Sequence, residues 1–178
     1  MKKIFLLISL LIFNFKVGFS QIKKWPTEPY SYVKVYMYNL EGKLYGQHAI
    51  IKNGKLDSTV VAESKLISLE DIETIKRVAK NKALNYGLSK CYIPHHGFVF
   101  YNKENIPIAS LTVCFYCEQI VTYPQAIELD WENAKELKKS EIKKALKELD
   151  ELKKIITKAN LPIEVSLEDY KKHIPNQK

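Results

Sequence analysis

Between Tyr30 and Asn39 apolar and polar positions alternate. Val33, Val35 and Met37 fall on one side; Tyr32, Lys34, Tyr36 and Tyr38 fall on the other. A period of two built from β-branched and aromatic residues predicts a half-buried strand. A turn at Glu41-Gly42 leads to a second predicted strand, Leu44 to Ile51. Asn53-Gly54 comes next, two residues that tolerate the positive φ of a type I′ hairpin turn. Leu56 to Ala62 is the third predicted strand, so this part of the chain is expected to be an antiparallel meander. Gly97 to Tyr101 and Ile106 to Phe115 predict a second hairpin. On its returning arm Ala109, Leu111, Val113 and Phe115 share the face expected to be buried, and Ser110, Thr112 and Cys114 share the other. Ile108 breaks that alternation. Pro107, lacking a backbone donor, belongs at the strand's start or on an edge. Glu118 to Tyr123 continues the strand pattern as far as Pro124.

Two stretches carry the helical period instead. Ser68-Leu69-Glu70-Asp71 places a hydroxyl at an N-cap and a carboxylate three residues on, a variant of the capping box. Leu69, Ile72, Ile75 and Ala79 lie on one face. The same four letters recur at Ser166-Leu167-Glu168-Asp169, read as a second, independent cap before a short C-terminal helix. From Trp131 to Ala159 the apolar positions Ile142, Ala145, Leu149, Leu152, Ile156 and Ala159 repeat in threes and fours, with Leu146 and Ile155 widening the stripe. Ser140 is a candidate break, Asp150 and Lys154 an i,i+4 ion pair, and Pro162 the stop. The expected fold class is α+β: an antiparallel sheet, meander plus hairpin, packed against helices.

The ends of the chain add a destination. Lys2 and Lys3 precede a mostly apolar run from Ile4 to Phe15, and Gly18 and Ser20 stand at −3 and −1 of a cut before Gln21. That order of charge, apolar run and small exit residues is that of a cleaved secretory signal. The run is short of the roughly 20 residues needed to span a bilayer. The expected organisation is a signal peptide over 1–20, an extended leader over 21–29 and a single α+β domain over 30–178. The product is then secreted or periplasmic and not membrane-spanning.

Charge narrows the partners only a little. The net charge is +8, and the signal's three lysines account for three of it, leaving +5. Arg77 is the one arginine, so the planar fork used to read phosphates and bases is nearly absent. The lysines interleave with acids, as in Lys147-Glu148-Leu149-Asp150-Glu151-Leu152-Lys153, which is a solvated helix face. No nucleic-acid partner is expected, and the sequence names no other.

Chemistry concentrates between Cys91 and Cys117. Cys91-Tyr92-Ile93-Pro94-His95-His96-Gly97 leads into the first arm of the second hairpin, and Cys114-Phe115-Tyr116-Cys117 closes the other. With Lys103, Glu104 and Asn105 as a three-residue loop, Asn102 faces Ile106. The same register then opposes Val99 to Ala109, His95 to Val113 and Cys91 to Cys117. Opposed Cβ atoms lie about 4.5–5.5 Å apart, close to disulfide reach. A two-residue loop would favour Cys114 instead. Four readings compete. An exported chain with an odd number of cysteines fits one structural disulfide, foremost Cys91 to Cys117, plus a buried thiol. Cys91, Cys114, Cys117 and His95 or His96 are suitable ligand types for tetrahedral zinc, though two cysteines three apart would need a knuckle between them. Cys114 and Cys117 could form a redox pair, without the helix N-terminus that often lowers such a pKa. Three inert thiols are the fourth. His95 and His96, being adjacent, are expected on opposite sides of a strand. No nucleophile-base motif, phosphate-cradling loop or zinc-protease helix motif occurs, so no catalytic residue is assigned.

The Cys-Tyr-x-Pro-x-His and Cys-Phe-x-Cys elements resemble those of small uncharacterised exported bacterial proteins. The resemblance spans Cys91 to Cys117 and implies a shared location and cluster, without an activity. The sequence therefore points to a non-catalytic exported binding or structural module with a disulfide-stabilised hairpin and no cofactor. The alternative is a periplasmic zinc-binding or thiol-redox protein.

Overall fold

The structure, a computed structural model, describes residues 24–42, 49–85, 92–128 and 137–174; for residues 62–65 only the backbone is described. The signal segment, Leu44 to His48 of the second predicted strand, and Trp131 to Glu136 of the predicted long helix lie outside these residues. So does Cys91.

Among the described residues five antiparallel strands form one sheet in the order β4-β1-β5-β6-β7. They are β1 (Tyr32–Met37), β4 (Ala62–Leu66), β5 (His96–Tyr101), β6 (Pro107–Cys114) and β7 (Gln119–Tyr123); β2 (Ile51–Lys52) and β3 (Lys55–Leu56) make a separate two-stranded hairpin. The helices of this α+β fold are α1 (Leu69–Val78), α2 (Lys82–Asn85), α3 (Lys139–Lys158) and α4 (Leu167–Lys171). No helix among the described residues is long and apolar enough to cross a membrane.

The expected meander is replaced by a different order. Asn53 and Gly54 do form the turn, both at positive φ (50° and 70°), but they join the short β2–β3 hairpin. The chain then turns at Asp57, where the carboxylate accepts from the backbone and hydroxyl of Thr59 (2.9 and 2.6 Å). Only at Ala62 does it pair with β1, so β1 sits between β4 and β5. The predicted strand Leu56 to Ala62 is thus the end of a two-residue strand, a turn and the start of another strand.

Alternation in β1 is preserved, yet both faces are covered. Val33, Val35 and Met37 join Phe98, Phe100, Ala109, Leu111 and Val113 in a core roofed by Ile72 and Ile75 of α1 and Leu149, Leu152 and Ile156 of α3. On the opposite face Tyr36, Tyr38, Val99 and Tyr101 pack with Ile50 and Ile51. Ile50 lies so close that a Cβ on Gly97 would meet its Cδ1 at 2.8 Å. Ser110, Thr112 and Cys114 are consequently buried as well, so the expectation of a single buried face on β6 fails.

Trp25 corrects the extended leader. It is 1% exposed, belongs to the main core and donates its indole N–H to the Pro124 carbonyl (2.7 Å). In α1, Ile72, Ile75 and Val78 are buried, as is Ala79 at its end, whereas Leu69 points outward. The long helix expected from Trp131 is described only from Lys139, one residue before the candidate break at Ser140; Lys138 is its extended N-cap. Ile142 and Leu146 are partly exposed, and Asp150 pairs with Lys153 (3.2 Å) rather than with Lys154.

Both predicted caps form. The Ser68 hydroxyl accepts from the backbone N–H of Asp71, and that of Ser166 from Asp169. Loss of an N-cap hydroxyl leaves a helix-terminal donor without its protein acceptor. Ser68→Ala is therefore expected to destabilise the fold by about 0.5–2 kcal/mol, read as a lower denaturant midpoint at unchanged slope; equal midpoints would show that the cap contributes nothing.

Candidate functional site

The end of the β5–β6 pair brings His95, His96 and Cys114 together, by a different register from the one expected. The loop is as predicted: Asn102 N–H donates to the Ile106 carbonyl (3.1 Å) and Asn105 takes a positive φ of 62°. The pairing then slips. Tyr101 faces Pro107 but Phe100 faces Ala109, leaving Ile108 as the extra residue of a bulge. Beyond it every partner moves by one, so Val99 faces Ser110 and His96, not His95, faces Val113. A bulge of this kind bends the strand and re-aims the side chains beyond it.

The second difference lies at Cys114. β6 ends there, Phe115 to Glu118 form a tight turn with Glu118 at φ 54°, and β7 returns with Cys114 opposite Gln119. Cys117 therefore stands in a hairpin turn and not on a continuing strand. The opposed-strand argument for Cys91 and Cys117 is lost with it. Cys117 is disulfide-bonded, and Cys114 is a buried free thiol.

His95 and His96 do not diverge as neighbours on a regular strand would. His95 precedes β5, and both rings reach Tyr170 of α4. His95 stacks on it with centroids 4.0 Å apart, and His96 meets it edge-on at 5.8 Å. Each imidazole engages a carbonyl. His95 Nδ1 is 3.1 Å from the Asn39 oxygen and His96 Nε2 is 2.8 Å from the Pro162 oxygen. A carbonyl only accepts, so these nitrogens carry the protons. Burial pushes both imidazoles down to about 4, against the upward pull of those carbonyls. Both are neutral at pH 7. His96 is fully buried, and its Nδ1 has no hydrogen-bond partner among the described residues.

These groups line a cavity of about 270 Å³, walled by Ile93, Val113, Phe115, Leu167 and Tyr170 and bordered by Cys114. Burial pushes the Tyr170 phenol up to about 12. Sequence reasoning assigns no role to Tyr170 and reads Pro162 only as the stop of the long helix. The signal is present in Leu167, Tyr170 and Ile174, spaced three and four apart behind the Ser166 cap.

On the other face of the sheet, Tyr92 hydrogen-bonds Thr112 through its hydroxyl (2.7 Å), and Tyr36 does so with Tyr101 (2.7 Å). A broader groove of about 1070 Å³ runs between the Trp25 segment, α1 and the start of α3. Its arginine, Arg77, is committed to Glu148 (2.7 Å) and Glu151 (2.5 Å), and Asn81 also donates to the buried Glu148.

Among the described residues no three His, Cys, Asp or Glu side chains are grouped so as to hold a metal ion. Comparison of the chain with protein-family models, curated proteins and solved structures returned no match.

Proposed function

We propose that this chain is a small exported, non-catalytic binding or structural module whose hairpin end is stapled by a Cys91–Cys117 disulfide. The observation that carries the reading is the division of the sulfurs. Cys117, in the β6–β7 turn, is bonded, while Cys114 three residues earlier is a buried thiol. The chain holds three cysteines, which leaves Cys91 as the intramolecular partner. An oxidised pair agrees with the export signal at residues 1–20 and with the resemblance to small exported proteins. The histidines support a non-catalytic role. Each is neutral and held by a backbone carbonyl, and the thiol at the edge of their cavity is packed away from solvent.

One observation favours the zinc-binding or thiol-redox alternative. In each imidazole one nitrogen donates to a backbone carbonyl, which orients the other as a lone pair in the manner of metal-ligating histidines. Cys114 borders the same cavity.

Intact mass of the exported protein, denatured and alkylated with and without reduction, separates the readings. The expected product begins at Gln21, gains one alkyl group unreduced and three when reduced, and carries no stoichiometric zinc. Three alkylated cysteines without reduction, with one zinc per chain beforehand, would overturn the disulfide reading in favour of Cys91, Cys114, Cys117, His95 and His96 as ligands.

A further inference from the structure

We infer that the cavity between the β5–β6 strand ends and α4 binds a small, flat, neutral molecule that presents one N–H or O–H donor to His96 Nδ1. The inference rests on the binding-module reading and names the ligand class of its site.

Three features define that class. The first is the acceptor. His96 Nε2 donates to Pro162, so Nδ1 is a lone pair, buried and unpartnered among the described residues. A buried acceptor without a donor is unfavourable, and a ligand donor would relieve it. The second is shape. Phe115 and Tyr170 supply ring faces and edges, Ile93, Val113 and Leu167 supply aliphatic walls, and about 270 Å³ is room for one or two fused rings. Tyr116 and Val165, 86% and 94% exposed, place apolar surface at the mouth. Small-molecule sites have this character, mostly apolar with a few placed polar groups. The third is charge. Among the described residues no lysine or arginine lines the cavity, and its acid, Glu164, is engaged by His173 (2.7 Å). An anion would find no cation there to neutralise it. A neutral imidazole acceptor matches a neutral aromatic N–H or O–H compound.

Indole and 1-methylindole test this on the full mature protein. They share a ring system of suitable size, and only indole has the N–H. With ¹⁵N-labelled protein at pH 7, indole is expected to saturate and to shift His96 Nδ1, while 1-methylindole binds at least tenfold more weakly and leaves that nitrogen unmoved. His96→Phe is expected to abolish the preference between the two. The wild-type comparison decides even if that variant does not fold. Equal binding of both compounds, no saturable binding of either, or indole binding without a shift at Nδ1 would each overturn the proposal. The count of free thiols is independent of all three outcomes, so failure here is distinguishable from failure of the disulfide reading.

Discussion

Cys117→Ser is expected to lower the stability of the fold by about 3–4 kcal/mol, and reduction of the wild type should do the same. The proposed bridge to Cys91 closes a loop of about 27 residues, for which chain entropy gives a stabilisation near 3.6 kcal/mol. The loop contains all of β5 and β6, so the constraint falls on two adjacent strands that the bulge at Ile108 leaves imperfectly matched. Urea melts with and without reductant measure it. Cys114→Ala is the control: its thiol is buried but unbridged, and the variant should keep its sensitivity to reductant. A reductant effect that survives Cys117→Ser but vanishes in Cys114→Ala would assign the bridge to the wrong sulfur.

Acid should destabilise the protein in a window set by the histidines. His96 titrates near 4 in the fold because burial disfavours its charged form, against an ordinary value of 6.5. Between those values the unfolded chain holds a proton that the native chain does not. Stability is therefore full above pH 6.5 and falls as the pH drops toward 4. One proton corresponds to about 1.4 kcal/mol per pH unit, or about 3 kcal/mol across the window for His96 alone. His95, lowered by burial in the same way, acts in the same direction. Carboxylates leave a separate signature. Although burial pushes Asp57 up, Lys52 and Thr59 hold it below its ordinary 3.8, so its contribution is lost only at lower pH. Chemical melts from pH 7.5 to 4 should show the slope, and His96→Gln should reduce it to the part due to His95. A wild-type stability constant from 6.5 to 4.5, or imidazole resonances that titrate near 6.5 in the folded protein, would remove the basis for the neutral pair.

Local rules are legible in the sequence and long-range pairings are not. The Ser68 and Ser166 caps, the Asn53-Gly54 turn, the Asn105 loop and the alternation of β1 each depend on neighbours within a few residues, and each forms. The placement of β1 between β4 and β5 depends on which strand edges meet in space, and no local pattern encodes that. The register at the second hairpin shows how a small difference spreads. Ile108 is visible as a break in alternation, but a break does not announce itself as a bulge. Once it is one, every later pairing moves by one and His96 replaces His95 opposite Val113. The turn at Phe115 to Glu118 is hidden because it contains no glycine or proline to mark it. Burial of Ser110 and Thr112 is hidden too, since a second covering layer from Ile50 and Ile51 leaves no trace in the strand's own period.

The indole of Trp25 reaches the Pro124 carbonyl across 99 positions of sequence. A chain that emerges N-terminus first therefore presents this tryptophan long before its socket exists. Its hydrogen bond cannot form before the segment that follows β7 is in place. Until then a large ring that ends 1% exposed lacks part of its socket, close to the proposed signal cleavage site. A bulky tag fused directly at Gln21 would burden this late closure, whereas the surface Lys103–Asn105 loop, closed by the Asn102 side chain and joined at Asn105 by the exposed Tyr32 hydroxyl, buries no comparable ring.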